Sequence, residues 1–134
     1  MRKNHSHFGI YSYIKKEDLI LLIKKARGPY EGMYDLPGGS PEEGETNEET
    51  LIREVKEETG LTISSYKKLT DQVITTFYKY SLNEENYLLK HSALLYDAEC
   101  YTGSLKADSD GEDSNGAEWI KISELDQNQC TPLV

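Results

Sequence analysis

Near the N-terminus, apolar residues cluster at strand-like spacing in two runs. Phe8 to Ile14 and Leu19 to Lys25 are rich in β-branched and aromatic side chains, and the polar Lys15-Lys16-Glu17-Asp18 separates them. This pattern predicts two strands joined as a hairpin. From Ala26 to Gly44 the periodicity gives way to Gly and Pro, as in Arg27-Gly28-Pro29, Glu31-Gly32-Met33 and Leu36-Pro37-Gly38-Gly39-Ser40-Pro41. Such punctuation predicts loops and turns. A helical pattern then begins at Thr46. Thr46 with Glu49 three residues later is a capping box, Leu51, Ile52 and Val55 form an apolar stripe, and Gly60 suits the position just past a helix end. Further strands are expected over Leu61 to Ile63, Gln72 to Tyr80, Tyr87 to Tyr96 and Glu118 to Ile122. Lys106 to Gly116 reads as an acidic loop, and Ser123-Glu124-Leu125 as the start of a short terminal helix. With no internal repeat and no linker, residues 1–134 are expected to form a single mixed α/β domain.

Composition narrows the range of partners. The formal net charge of −9 opposes binding to a nucleic-acid polymer or an anionic membrane, since both need a basic face. An acidic protein that handles phosphates is expected to do so through bound metal. No apolar run approaches the roughly 20 residues that span a bilayer, and the start, Met1-Arg2-Lys3-Asn4-His5, lacks the apolar stretch of a secretory signal. A cytoplasmic location is the expectation. Cys100 and Cys130 show no metal-binding spacing and are expected to be free thiols.

The candidate chemistry lies on the helix. At about 100° per residue, Glu57 and Glu58 fall about 60° and 40° to either side of Glu54. All three carboxylates are therefore expected on one face, looking into a cleft beside the buried stripe. As a solvated face they would repel one another at i,i+3 and i,i+4, and they crowd the helix C-terminal half, where the macrodipole disfavours anions. A divalent cation would relieve that crowding, because hard cations take several oxygen ligands. Arg53 and Glu45 are expected to pair and to hold the preceding loop against the helix.

Gly39-Ser40-Pro41-Glu42-Glu43-Gly44-Glu45, seven further residues, and Arg53-Glu54-Val55-Lys56-Glu57-Glu58-Thr59-Gly60-Leu61 together resemble the Nudix box at each defining position. The box covers 23 residues, and the strand-rich flanks fit the family layout over nearly the whole chain. The resemblance to this MutT-like superfamily implies an α/β/α sandwich around a mixed β-sheet. It also implies Mg²⁺ or Mn²⁺ held by Glu54, Glu57, Glu58 and Gly39, with Arg53 and Glu45 in orienting roles. The implied activity is metal-dependent hydrolysis of the diphosphate linkage in a nucleotide-like small molecule. A catalytically silent Nudix-like module that binds nucleotides or proteins is the alternative.

The base that accepts the proton of the attacking water is expected to be Glu54 or, as in family members that use a later loop, Glu112 or Asp113, which could instead supply a further metal ligand at the substrate or belong to a solvated acidic loop. Tyr78 and Tyr80 should share one face of a strand, opposite Phe77 and Lys79, and either stack on a base or pack within the sheet. Family members that prefer ADP-ribose tend to carry a proline after the box, and none occurs here between Pro41 and Pro132. His5, His7 and His91 read as isolated surface or packing residues, and Trp119 as a core residue. Relatives commonly continue past the position of Val134 into a helix. A very short helix, or a second subunit in a homodimer, is therefore expected to cover that face of the sheet.

Overall fold

A computed structural model of the chain describes residues 2–25, 30–69, 73–105 and 114–134. Strand β1 (Arg2–Tyr13) and the long β8 (Glu85–Thr102) run parallel along Arg2 to Tyr13 and Asn86 to Asp97. The other edge of β8 is shared end to end by two antiparallel partners, β7 (Ile74–Leu82) and β6 (Thr62–Lys68). The two-residue β5 (Gly38–Gly39) closes the sheet on the far side of β1. In a second sheet, β3 (Leu19–Lys25) pairs along one edge with β9 (Ser114–Lys121) and along the other with β2 (Lys15–Lys16) and β4 (Tyr34–Asp35). The expected mixed β-sheet is present.

The expected hairpin between Phe8–Ile14 and Leu19–Lys25 does not form as drawn. Its turn exists, with Lys15 and Lys16 opposite Ile20 and Leu19, but β1 leaves for the other sheet. The reason is burial on both faces. Ile10 and Tyr11, Leu21 and Leu22, and Leu94 and Leu95 are adjacent residues that point oppositely into two separate apolar clusters. Strands of this kind need cover on both sides, which a solvent-facing hairpin would not give them.

The first cluster joins Ile10, Leu94 and Tyr96 of one sheet and Leu21, Ile23 and Ala117 of the other to Leu51 and Val55 of helix α1 (Asn47–Thr59). Trp119 packs partly buried against it, as expected. The second gathers Tyr11, Ile20, Leu22, Leu36, Ala93 and Leu95 around Leu133. Two single turns of 3₁₀ helix, Ile122–Glu124 and Gln127–Gln129, and the residues after them stand where a terminal helix was expected. The side chain of Asp126 caps the second turn. Both cysteines are free, Cys100 exposed and Cys130 buried. No described helix is long and apolar enough to cross a membrane.

Candidate metal and substrate site

Helix α1 begins as its sequence dictates. Thr46 Oγ1 accepts from Glu49 N at 3.1 Å while Glu49 Oε1 accepts from Thr46 N at 3.1 Å. A cap of this kind contributes about 1 kcal/mol. The helix ends at Gly60, whose φ of 84° is the left-handed conformation that glycine adopts without strain. The helix therefore starts and stops at fixed points, and the side chains between them are fixed in rotation against β5.

Arg53 is the centre of the loop–helix junction. Its Nε and Nη2 meet the two carboxylate oxygens of Glu45 at 2.6 and 2.9 Å, a two-pronged pair. Nη2 also donates to Ser40 O at 3.2 Å, and Nη1 to Glu54 Oε1 at 2.8 Å and Glu57 Oε2 at 3.4 Å. Glu45 in turn accepts from Glu42 N and Thr50 Oγ1. The hydrogen bond from Arg53, with that from Glu42 N next, holds the Glu45 carboxyl down at about 2. The Arg53–Glu45 clamp expected from the spacing is formed, and it binds the residue 40–45 loop to the helix.

The three carboxylates do not share one open face. Glu58 is only 3% exposed and accepts from Gly38 N at 2.8 Å. Burial pushes its carboxyl well above the ordinary range. Glu57 is the outward member, with a side chain 55% exposed, while Glu54 is 18% exposed and lines the main cavity. The helix's buried stripe explains the difference. It runs through Leu51, Val55 and Glu58, at i, i+4 and i+7, and leaves Ile52 only half-buried. Glu58 thus lies buried behind Gly38, and the cavity wall includes Gly38 and Glu54 but not Glu58. Among the described residues, no three His, Cys, Asp or Glu side chains stand grouped as an ion-ligating set.

The donors nevertheless suit a hard divalent cation. Glu54, Glu57, Glu58 and the Gly39 carbonyl offer oxygen alone, the donor type that Mg²⁺ and Mn²⁺ take. A Cβ on Gly39 would lie 2.5 Å from Glu54 Cδ, so glycine is what leaves the backbone and this carboxylate side by side. Glu112 and Asp113, the other candidates for base or ligand, lie outside the described residues.

The cavity beside Glu54 has a volume of about 670 Å³. At one end its wall is Gly38, Gly39, Pro41, Glu42 and Glu54, and Lys25 and Asp35 also line it. Asp35 is buried and accepts from Leu36 N and Thr131 Oγ1 at 2.8 and 2.7 Å. Burial raises its carboxyl, against the opposing pull of those hydrogen bonds and of Lys25.

The remaining wall holds residues that sequence reasoning set aside. His7 and His91 are direct partners across β1 and β8, their rings 5.2 Å apart. His91 is 1% exposed; Tyr11 Oη lies 2.9 Å from its Nε2 and Tyr30 Oη 3.2 Å from its Nδ1. Tyr11 Oη also stands 3.4 Å from His7 Nε2. Burial, then His7 and Lys25, pull the His91 imidazole down to about 4, so it is neutral at physiological pH. His7 and His91 thus belong to one assembly and are not isolated, while His5 packs against Tyr80 and Tyr87. Spacing did carry a hint, since His5, His7 and Tyr11 share one strand face, with Gly9 leaving room for the Tyr11 ring. The register to His91 and the approach of Tyr30 left no local trace. Tyr78 and Tyr80 share the half-buried face of β7, as expected, with Phe77 exposed on the other. Their rings stack at 6.2 Å; Tyr78 continues to Tyr30 at 4.9 Å, and Tyr80 to Tyr87 at 5.1 Å.

Comparison with known proteins agrees with this layout. The NUDIX domain model matches residues 3–133. The chain is 35% identical over 121 residues to an ADP-ribose pyrophosphatase of Methanocaldococcus jannaschii, covering 90% of this chain and 65% of the relative, so it spans just under two thirds of that protein's length. It is 31% identical over 118 residues to the nucleoside triphosphatase NudI of Escherichia coli, covering 84% of this chain and 79% of the relative. Among solved structures, a MutT NUDIX hydrolase from Burkholderia pseudomallei superposes with a TM-score of 0.72 at 25% identity, over 96% of this chain and 92% of that one. The helix clamped by Arg53, the mixed sheet and the family match over nearly the whole chain converge on one conclusion: the chain belongs to the Nudix superfamily.

Proposed function

We propose that the protein is a Mg²⁺- or Mn²⁺-dependent hydrolase that cleaves the diphosphate linkage of a nucleotide-like substrate with water. The observation that carries this reading is the Arg53 clamp, which fixes Glu54 against Gly39 at the cavity wall. A divalent cation held by Glu54, Glu57, Glu58 and the Gly39 carbonyl would neutralise phosphate charge and acidify a water.

The chain's own residues do the rest. Arg53, anchored by Glu45, keeps Glu54 in a single orientation and ties the Ser40 carbonyl to the helix. Glu54 borders the cavity, and in this reading its carboxylate would take a proton from the attacking water. The Gly38 amide holds Glu58 at the edge of the core, so the carboxylate does not swing into solvent. The cavity is large enough for a nucleoside-sized group beside the phosphates.

The names of the two relatives differ in substrate, ADP-ribose for one and nucleoside triphosphate for the other. Both compounds are nucleosides on a diphosphate. The lack of a proline between Pro41 and Pro132 weighs against ADP-ribose. A second reading, a nucleotide-binding module without turnover, draws on one observation: Arg53 pairs with Glu54, and among the described residues no three acids stand grouped as an ion-ligating set. Phosphate release across a panel of nucleoside di- and triphosphates, dinucleoside polyphosphates, ADP-ribose and nucleotide sugars, with and without Mg²⁺, tests both. Metal-dependent turnover of at least one compound is expected. Binding without turnover of any would replace the first reading with the second.

A further inference from the structure

The two ends of the cavity differ in charge, and the uncharged end has an unusual hydrogen-bond constraint. A neutral imidazole has one N–H donor and one acceptor nitrogen. Both nitrogens of His91 face a tyrosine hydroxyl, Tyr11 at 2.9 Å and Tyr30 at 3.2 Å. One tyrosine must therefore donate to the ring while the other accepts from it. If Tyr11 donates to Nε2, the Nδ1 proton goes to the Tyr30 oxygen, and the Tyr30 hydroxyl proton is left to point elsewhere. If Nε2 carries the proton, Tyr11 accepts it, and Tyr30 donates into Nδ1 and presents a lone pair. Thr76 also donates a hydrogen bond to the Tyr30 hydroxyl, which leaves Tyr30 its proton in the first case and one lone pair in the second, so it can offer either a donor or an acceptor, according to the His91 tautomer, without gaining charge.

The surroundings fit a flat, uncharged ligand. Tyr30, Tyr11, His5, His7, His91 and Leu89 line this part of the cavity. The charge of Lys25 is offset by Asp35 and Glu58, both of which it stabilises. This wall is also joined to the segment from Gly38 to Ser40 at the Glu54 end. Tyr11 pairs with Gly38 in the β1–β5 ladder, and Ser40 Oγ donates to Phe8 O at 2.9 Å and stands 3.4 Å from His7 Nε2. A ligand reaching from Glu54 to Tyr30 would place its phosphates and its ring at opposite ends of one cavity.

We infer that the Tyr11–His91–Tyr30 chain is the base-recognition element of this site: Tyr30 hydrogen-bonds the edge of the substrate's nucleobase, and His91 and Tyr11 are positioning residues that set the direction of its proton. The inference rests on the nucleotide reading above and adds which residues read the base. The tautomer switch lets one hydroxyl meet either a carbonyl or a ring nitrogen or an amino group, all of which occur on base edges.

The test uses ligands without an anhydride, so that its outcome is separate from that of turnover. AMP, GMP, CMP, UMP and ribose 5-phosphate are titrated into the full chain, with ¹⁵N shifts of the His91 ring as readout. At least one nucleotide is expected to bind about tenfold tighter than ribose 5-phosphate and to move the His91 nitrogen shifts, which report its tautomer. Tyr30→Phe, which removes only the hydroxyl, is expected to lower that preference about tenfold and to leave ribose 5-phosphate binding unchanged. His91→Gln, which keeps a donor and an acceptor, should retain more of the preference than His91→Leu. Equal binding of ribose 5-phosphate and all four nucleotides, no binding by any, or an unchanged preference in Tyr30→Phe would overturn the inference. If the base preference holds but no diphosphate compound turns over, the hydrolase reading alone fails.

Discussion

The cavity's two ends are built in opposite ways. At the Glu54 end, charged side chains lie within a stretch of 20 residues, from Gly39 to Glu58, and are organised by one guanidinium. At the His91 end, neutral rings from β1, β8 and the Tyr30 turn meet across sequence separations of 61 to 80 residues. The first end depends on helix geometry and charge, and the second on strand register and burial. Damage to one should therefore show in turnover, and damage to the other in selectivity and pH response.

The largest effects belong to the charged end. Glu54→Gln, Glu57→Gln and Glu58→Gln are each expected to lower turnover at least ~10²-fold, the scale for a lost charge at a reacting centre. Steady-state kinetics with a saturating nucleotide checks this, and near-wild-type rates in any of the three would remove that residue from the site. Arg53→Lys follows. A lysine cannot span Glu45 and Glu54 with a planar fork, so turnover should fall about tenfold or more, and Glu45→Gln should do the same to a lesser degree. If the rate fell in Glu45→Gln without any loss in Arg53→Lys, the clamp would not be what orients Glu54.

Gly39→Ala should be next in size. Its Cβ must displace the Glu54 carboxylate, so kcat should fall several-fold while thermal stability changes little, since Gly39 is only half-buried.

The smallest effect sharpens the contrast at the neutral end. His91 in the folded protein titrates near 4, below the ordinary 6.5 of the unfolded chain. As pH falls from 6.5 towards 4, the unfolded chain takes up this proton and the folded one does not, so the folded state loses stability over that window. The buried Asp35 and Glu58 act with the opposite sign. Their folded pKa values are raised, so their contribution falls as pH rises through those values. The His91 part is isolated by difference. Thermal unfolding from pH 7 to 4.5 should show a steeper loss on acidification in the wild type than in His91→Gln. Parallel curves would mean that His91 is not held neutral by its surroundings.

The same contrast explains what was legible before the structure. The cap at Thr46, the stop at Gly60 and the Arg53–Glu45 pair are local, and a local spacing fixes them. Helix rotation was less legible: a wheel placed Glu58 with Glu54 and Glu57, but burial of the Leu51–Val55–Glu58 stripe turned Glu58 towards Gly38. The β7–β8 hairpin turns on Asn83 and Glu84, both at positive φ, a geometry usually announced by a glycine that is absent here. Strand β1 was legible over Phe8 to Ile14, but its pairing was not, because its parallel partner lies more than 80 residues along the chain. Nor could the His7–His91–Tyr11–Tyr30 assembly, since each member alone reads as packing.

Mn²⁺ binding followed by electron paramagnetic resonance separates the two ends most directly, since it reads the cation without requiring turnover. The wild type and Tyr30→Phe are expected to bind Mn²⁺ equally, while the combined Glu54→Gln and Glu57→Gln variant loses at least ~10-fold in affinity. Unchanged binding in the combined variant would place the cation elsewhere and contradict the division between a metal-holding end and a neutral one.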